Sequence, residues 1–102
     1  MPHVDQVLCG ADAILKNGDV INKVGSVQLA LAARELQRPV ILAAESLKQA
    51  RECAEHPETR ESNPADEVWS GRPSDIQISN IYFERIPRRL IDEIITEYGP
   101  LD

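Results

Sequence analysis

Gly10-Ala11-Asp12 is followed closely by Asn17-Gly18-Asp19 and then by Asn22-Lys23-Val24-Gly25-Ser26. A carboxylate, an amide and an ammonium beside a glycine–serine helix start are groups suited to proton transfer on a phosphorylated substrate. Asp12 stands where the first apolar run ends, and open α/β sheets bind ligands at the carboxyl ends of their strands. Gly10 and Ala11 before it let the backbone turn closely. Lys23 is a point charge near Gly25-Ser26, where a helix start would present unpaired N–H groups and a positive dipole end to phosphate. A plainer reading fits the same residues: Asp12 caps a turn, Asn17-Gly18 is an ordinary loop and Lys23 is solvated. Spacing alone leaves both open.

The elements that would carry these residues follow from apolar pattern and turn signals. Residues 4–9 read as a short strand, and Lys16-Asn17-Gly18-Asp19 is a strong turn. Ser26 is the expected N-cap of an alanine-rich helix over residues 27–37, which Arg38-Pro39 ends. Residues 39–44 are apolar throughout, as a parallel strand covered on both faces requires. A second helix is expected over residues 47–54, a long surface loop over 55–74, and a strand over 76–83. Pro87 at a first turn, then Leu90, Ile91, Ile94, Ile95 and Tyr98 at helical spacing, predicts a last helix closed by Gly99-Pro100. Arg88–Asp92 and Arg89–Glu93 would be its i,i+4 ion pairs.

Strand–helix alternation of this kind gives an α/β class, part of a Rossmann-like parallel sheet with flanking helices. The expected unit is a single partial domain over residues 1–102, the C-terminal half of a doubly wound domain. Residues 4–9 and 39–44 should lie side by side and parallel, joined by the 27–37 helix. So narrow a sheet needs a partner or its other half, because small domains bury a smaller share of their surface.

Composition narrows the function classes. The chain has 102 residues, 42% hydrophobic and 27% charged, with a formal charge of −6. That balance matches a globular chain and sets direct nucleic-acid binding at a disadvantage, since phosphate neutralisation draws on surplus Lys and Arg. No apolar run is long enough to span a bilayer, and the first residues lack signal-peptide character. A soluble, cytoplasmic chain without membrane partners is the expectation. Cys9 and Cys53 lie far apart, and with His3 and His56 they make no paired metal motif, so no metal site is expected.

The wording of the motif adds a resemblance. Gly-Ala-Asp-Ala-Ile, Asn-Gly-Asp-Val-Ile-Asn-Lys-Val-Gly-Ser, Gln-Leu-Ala-Leu-Ala-Ala and Pro-Val-Ile-Leu-Ala-Ala-Glu-Ser all occur in order. Together they resemble the C-terminal domain shared by the regulatory subunits of translation initiation factor 2B, methylthioribose-1-phosphate isomerase and ribose-1,5-bisphosphate isomerase. The closing Arg-Ile-Pro-Arg-Arg-Leu-Ile-Asp-Glu-Ile-Ile-Thr-Glu-Tyr-Gly is similar to that family's last segment. The resemblance implies Asp12 as the catalytic acid/base group. It implies Asn22 and Lys23, with Gly10, Ala11, Gly25 and Ser26 around them, as the substrate-binding residues. Lys48 matches a family lysine, although Leu47 and Gln49 replace the aromatics expected beside it.

The implied function is aldose–ketose isomerisation of a ribose 1-phosphate derivative, of the ribose 1,5-bisphosphate type, without cofactor. The alternative is a regulatory module of the initiation factor, acting in the assembly that serves guanine-nucleotide exchange. The implied partners are a phosphorylated sugar or nucleotide and a homo-oligomer or related subunit. The family's isomerases carry their catalytic cysteine in a preceding segment, and Cys9 occupies a strand position where an aliphatic residue is usual. The chain is therefore expected to hold one wall of an active site.

Overall fold

Val40-Ile41-Leu42-Ala43, the most continuously apolar stretch, forms the centre of the larger sheet. The protein is described by a computed structural model covering residues 3–49 and 63–101. β1 (Val7–Cys9), β2 (Ala13–Ile14), β3 (Val20–Lys23), α1 (Ser26–Glu35), β4 (Val40–Ala43), β5 (Phe83–Ile86), β6 (Glu93–Thr96) and β7 (Gly99–Pro100) follow in chain order. The four-stranded sheet runs β1-β4-β6-β7 and the three-stranded sheet β2-β3-β5. β1, β4 and β6 are mutually parallel, with Val7 beside Val40 and Leu42 beside Ile94. β2, β3 and β5 are antiparallel. The expected adjacency of the first two long strands, with one helix between them, holds.

Pleat alternation explains the core. Val7, Val40, Leu42 and Ile94 point to one face of the larger sheet and pack with Ala30 and Ala33 of α1, Val20 of β3 and Ile86 of β5. Small alanines on α1 let the helix approach. A second cluster of Ala13, Leu15 and Ile21, with Phe83 against it, lies behind the small sheet. The other face of the larger sheet carries Leu8, which is 66% exposed, with exposed Ala43 and half-buried Ile41 and Ile95. Burial of β4 is therefore one-sided, unlike the two-sided cover its apolarity predicts.

Several boundaries differ from the sequence expectation, each for a local reason. Gly25, not Ser26, is the N-cap of α1; its φ of 102° is a conformation glycine adopts freely, and Ser26 is the first helical residue. The strand expected over residues 76–83 is displaced to β5, where polar Glu84 and Arg85 interrupt the apolar signal. Only a 3₁₀ turn, Ser46–Lys48, and a bridge from Gln49 to Ile14 occupy the described start of the expected second helix. The rest of that helix, the first part of the 55–74 loop, Cys53 and His56 lie outside the described residues. Within the described part of that loop, Ala65–Glu67 makes a short 3₁₀ turn.

The last helix does not form. Arg88–Leu90 is a 3₁₀ turn, and the chain then enters β6 and turns back into β7. Leu90, Ile91, Ile94 and Thr96 are buried, so the apolar stripe is satisfied by a turn plus strand alternation. Parallel docking on β4 decides the outcome: the Val40 amide donates to Asp92 Oδ2 at 2.6 Å, and the Asp92 amide returns a bond to the Val40 carbonyl at 2.9 Å. β-branched Ile94, Ile95 and Thr96 suit that strand. The expected Arg88–Asp92 pair is replaced by an Arg88 guanidinium bond to the Ile91 carbonyl. Gly99, at φ 103°, opens β7 directly after the turn from β6 and does not end a helix. One α-helix, rather than several, flanks the sheet among the described residues, and the class remains α/β.

Candidate functional site

The β2–β3 hairpin places the motif. Leu15 and Asp19 close it, with the Leu15 amide donating to the Asp19 carbonyl at 2.8 Å. Asn17 Oδ1 accepts from the Asp19 amide at 2.9 Å, the side-chain turn that Asn-Gly-Asp favours. Asp19 then ties the hairpin to the far end of the chain. Its carboxylate accepts from Arg85 Nε at 2.8 Å and from the Arg88 amide at 2.7 Å. Burial pushes the Asp19 carboxyl up, but the Arg88 amide, the Arg85 guanidinium and the Asn17 amide outweigh it and hold the group below its ordinary value. Asp19 is a structural anchor.

Asp12 sits at the entrance to this hairpin, half-buried, with its amide donating to the Ile21 carbonyl at 2.8 Å. Its backbone is thereby held across from the Ile21–Asn22 end of β3. Gly10 precedes it on the carboxyl side of β1, where an added Cβ would lie 3.9 Å from the Ala43 carbonyl oxygen, an ordinary contact. Space does not demand glycine there. Ala11 packs against the main core.

Asn22 and Lys23 are adjacent on β3, but their side chains leave it on opposite faces. The pleat sends consecutive strand residues to opposite faces. Asn22 lies opposite Glu84 of β5, and its Nδ2 donates to Ser26 Oγ at 3.1 Å. Ser26 Oγ donates in turn to the Lys23 carbonyl at 2.7 Å, so hydroxyl and amide lock the β3–α1 corner. Lys23 lies opposite Phe83, with its ammonium 4.8 Å from the Tyr82 ring centre and 5.6 Å from that of Phe83. The Tyr82 hydroxyl donates to Glu67, and that bond pushes the phenol above its usual range.

The start of α1 holds a group the sequence analysis missed. Glu84 Oε2 accepts from the Gly25 amide at 2.8 Å and from the Val27 amide at 3.0 Å. An internal carboxylate therefore occupies amides expected to meet phosphate, and it does what an anion at a helix N-terminus does. The signal for it is long-range: only the β3–β5 register brings Glu84 opposite Asn22. At the nearby end of β4, Ser46 donates from its amide to Glu97 Oε1 at 2.7 Å and from its hydroxyl to Oε2 at 3.2 Å. The Ser46 amide keeps the Glu97 carboxyl below its ordinary value.

The structure thus joins Asn22, Ser26, Gly25 and Glu84 at one corner, sets the Asp12 backbone beside it, and turns Lys23 onto the aromatic side. Among the described residues no group of three His, Cys, Asp or Glu side chains is arranged to hold a metal ion. No helix among them is long and apolar enough to cross a membrane.

Known proteins are similar to this chain in sequence and in fold. Ribose 1,5-bisphosphate isomerase from Archaeoglobus fulgidus is 38% identical over 97% of the chain and 33% of its own length. That from Methanocaldococcus jannaschii is 39% identical over 95% of the chain and 32% of its own length. The chain therefore spans about a third of the length of these relatives. The crystal structure of 5-methylthioribose 1-phosphate isomerase from Pyrococcus horikoshii OT3 superposes with a TM-score of 0.82 at 29% identity, over 98% of this chain and 30% of that one. The delta subunit of translation initiation factor eIF-2B from A. fulgidus gives 0.81 at 27% identity, over 98% of this chain and 31% of that one. The model of the initiation factor 2 subunit family matches residues 1–102. This chain belongs to the initiation factor 2 subunit family.

Proposed function

We propose that the chain supplies one wall of the active site of a sugar-phosphate aldose–ketose isomerase, acting on ribose 1,5-bisphosphate or a close relative. Identity of 37–39% to several ribose 1,5-bisphosphate isomerases supports this over the regulatory-subunit alternative. The observation that supports it is the corner itself: the Asp12 amide bonds the carbonyl of Ile21, next in the chain to Asn22, and the Asn22 amide bonds the Ser26 hydroxyl at a helix start. Isomerisation moves a hydrogen between neighbouring carbon atoms of the sugar, and the Asp12 carboxylate takes up and returns the proton. Asn22 keeps its amide oxygen for a sugar hydroxyl while Ser26 fixes its Nδ2. Lys23 binds the phosphate by leaving the Tyr82 ring, an exchange of one weak electrostatic contact for a stronger one. Gly10, Ala11 and Gly25 shape the backbone around these groups. No cofactor is invoked.

The remaining part of such a site comes from protein beyond this third of the relatives' length. We take residues 1–102 as part of one Rossmann-like domain acting in the cytoplasm. The uncovered Leu8, Ile41, Ala43 and Ile95 face supports association with a like or related subunit, because parallel sheets are covered on both sides.

Steady-state kinetics test the assignment in a protein with the complete site, with ribose 1,5-bisphosphate and methylthioribose 1-phosphate as substrates. Asp12→Asn should lower kcat about 10²–10⁴-fold with KM little changed. Lys23→Ala should mainly raise KM, since it removes an attraction present in ground and transition states alike. Wild-type turnover by Asp12→Asn would sink the catalytic role and favour the regulatory reading.

A further inference from the structure

A cavity of about 310 Å³ opens at the C-terminal end of α1, lined by Arg34, Gln37, Arg38, Leu90 and Asp92 among others. Its volume is at the small end of the range for small-molecule sites. The helix ends there by placing Gln37 at φ 57°, with the Gln37 amide bonded to the Arg34 carbonyl and the Arg38 amide to the Ala33 carbonyl. This is the left-handed helix stop usually given to glycine. It answers two of the orphan carbonyls at the negative helix end and folds Arg38 back beside Arg34. Two guanidinium groups then line one cavity in a chain whose formal charge is −6.

The Arg38 Nε is buried and has no hydrogen-bond partner among the described residues. A charged donor without an acceptor is an unusual arrangement. Arg34 is steadied by donating to the Arg89 carbonyl, which leaves its remaining N–H groups for another acceptor. Asp92 is fixed by the Val40 amide through one oxygen. It presents a carboxylate acceptor among apolar Leu90, Pro39 and Val40.

We propose that this cavity binds a small organic anion, with a phosphoryl or carboxylate head between Arg34 and Arg38 and a hydroxyl donating to Asp92. Planar guanidinium forks recognise either head in bidentate fashion, so the two are one chemistry at this site. The cavity adjoins Pro39 and the start of β4, whereas Asp12 lies past the end of the parallel strand β1. The two sites are thus on opposite edges of the sheet, separated by on the order of 13 Å, the length of a four-residue strand.

Isothermal titration calorimetry on the whole chain, with glycerol 3-phosphate and separately with glycerate, tests this. At least one should bind with 1:1 stoichiometry. Arg38→Gln and Arg34→Gln should each weaken it tenfold or more, and Lys23→Ala should change it less than twofold. Arg38→Lys, which keeps the charge but not the fork, should fall between. Binding of the phosphate alone assigns a phosphoryl head, and of glycerate alone a carboxylate head. Phenylglyoxal labelling of the wild-type protein, read by mass spectrometry, removes dependence on variant folding: saturating ligand should protect Arg38. The proposal is overturned if neither anion binds, if Arg38→Gln binds as wild type, if Lys23→Ala abolishes binding, or if labelling of Arg38 is unaffected.

Discussion

Removing the Glu84 carboxylate should loosen the start of α1 and thereby the corner that holds Asn22. Glu84 receives the Gly25 and Val27 amides at 2.8 and 3.0 Å. Hydrogen bonds to a charged acceptor are worth about 1.5–3 kcal/mol each where water cannot replace them. Gly25 is exposed and Val27 half-buried, so water recovers much of this. Deleting an ordinary N-cap costs about 0.5–2 kcal/mol, and losing a charge at the helix dipole about 0.3–1 kcal/mol. Glu84→Ala should therefore destabilise the protein by about 2 kcal/mol. Glu84→Gln, which keeps an oxygen acceptor but no charge, should cost about half that.

Urea denaturation followed by circular dichroism reads the energy, and amide hydrogen exchange at Val27 locates it. A second readout separates this role from generic loss of packing. With Glu84 gone, the freed amides at a helix N-terminus become an anion site, so inorganic phosphate should stabilise Glu84→Ala more than wild type. The reasoning fails if Glu84→Ala lies within about 0.5 kcal/mol of wild type with Val27 exchange unchanged.

Gly25→Ala should cost about 1–3 kcal/mol by strain alone, because φ is 102° while no atom of the described residues lies within 4 Å of the added Cβ; a chemical melt checks it. Asp19, whose folded pKa is lowered, stabilises the fold above its unfolded value of about 3.9 and loses that contribution as pH falls through the folded one. The stability gap between wild type and Asp19→Asn should thus close below about pH 4 in acid melts. Burial raises the Cys9 thiol, so iodoacetamide should modify it more slowly at pH 8 than a free cysteine; a rate equal to that of the free amino acid would contradict this.

The parts of the fold legible in the sequence are those whose signal is local. A continuous apolar run and an alanine-rich helix gave β4 and α1 to within two residues, and Asn-Gly-Asp gave the turn but not β2 and β3 on either side of it, which are too short to show a period. The C-terminal stretch failed because its spacing satisfies two periods at once. Leu90, Ile91, Ile94 and Ile95 fit a helical stripe, yet Ile94 and Thr96 also alternate inward as a strand. What decided between them was the Asp92–Val40 exchange, a contact between distant segments. Glu84 was illegible for the same reason, since a glutamate in a strand carries no local sign of the helix it caps.

The motif residues themselves show how sequence adjacency misleads about geometry. Asn22 and Lys23 read as a pair, but the pleat gives Asn22 to the helix corner and Lys23 to the aromatic side. A phosphate touched by both must lie off the end of β3, beyond Lys23, where the long lysine stem is able to swing round. Releasing the ammonium from the Tyr82 ring costs about 0.5–1 kcal/mol at an exposed site, which a charge-assisted bond to phosphate offsets. Glu84 imposes a further condition, because its negative charge already sits at the start of α1. Under the proposed function, a sugar phosphate would therefore be drawn toward Lys23 and away from the Gly25 amide, with its sugar on the side of Asn22 and Asp12. On that reading the internal carboxylate would orient the ligand by repulsion, besides capping the helix as the structure shows.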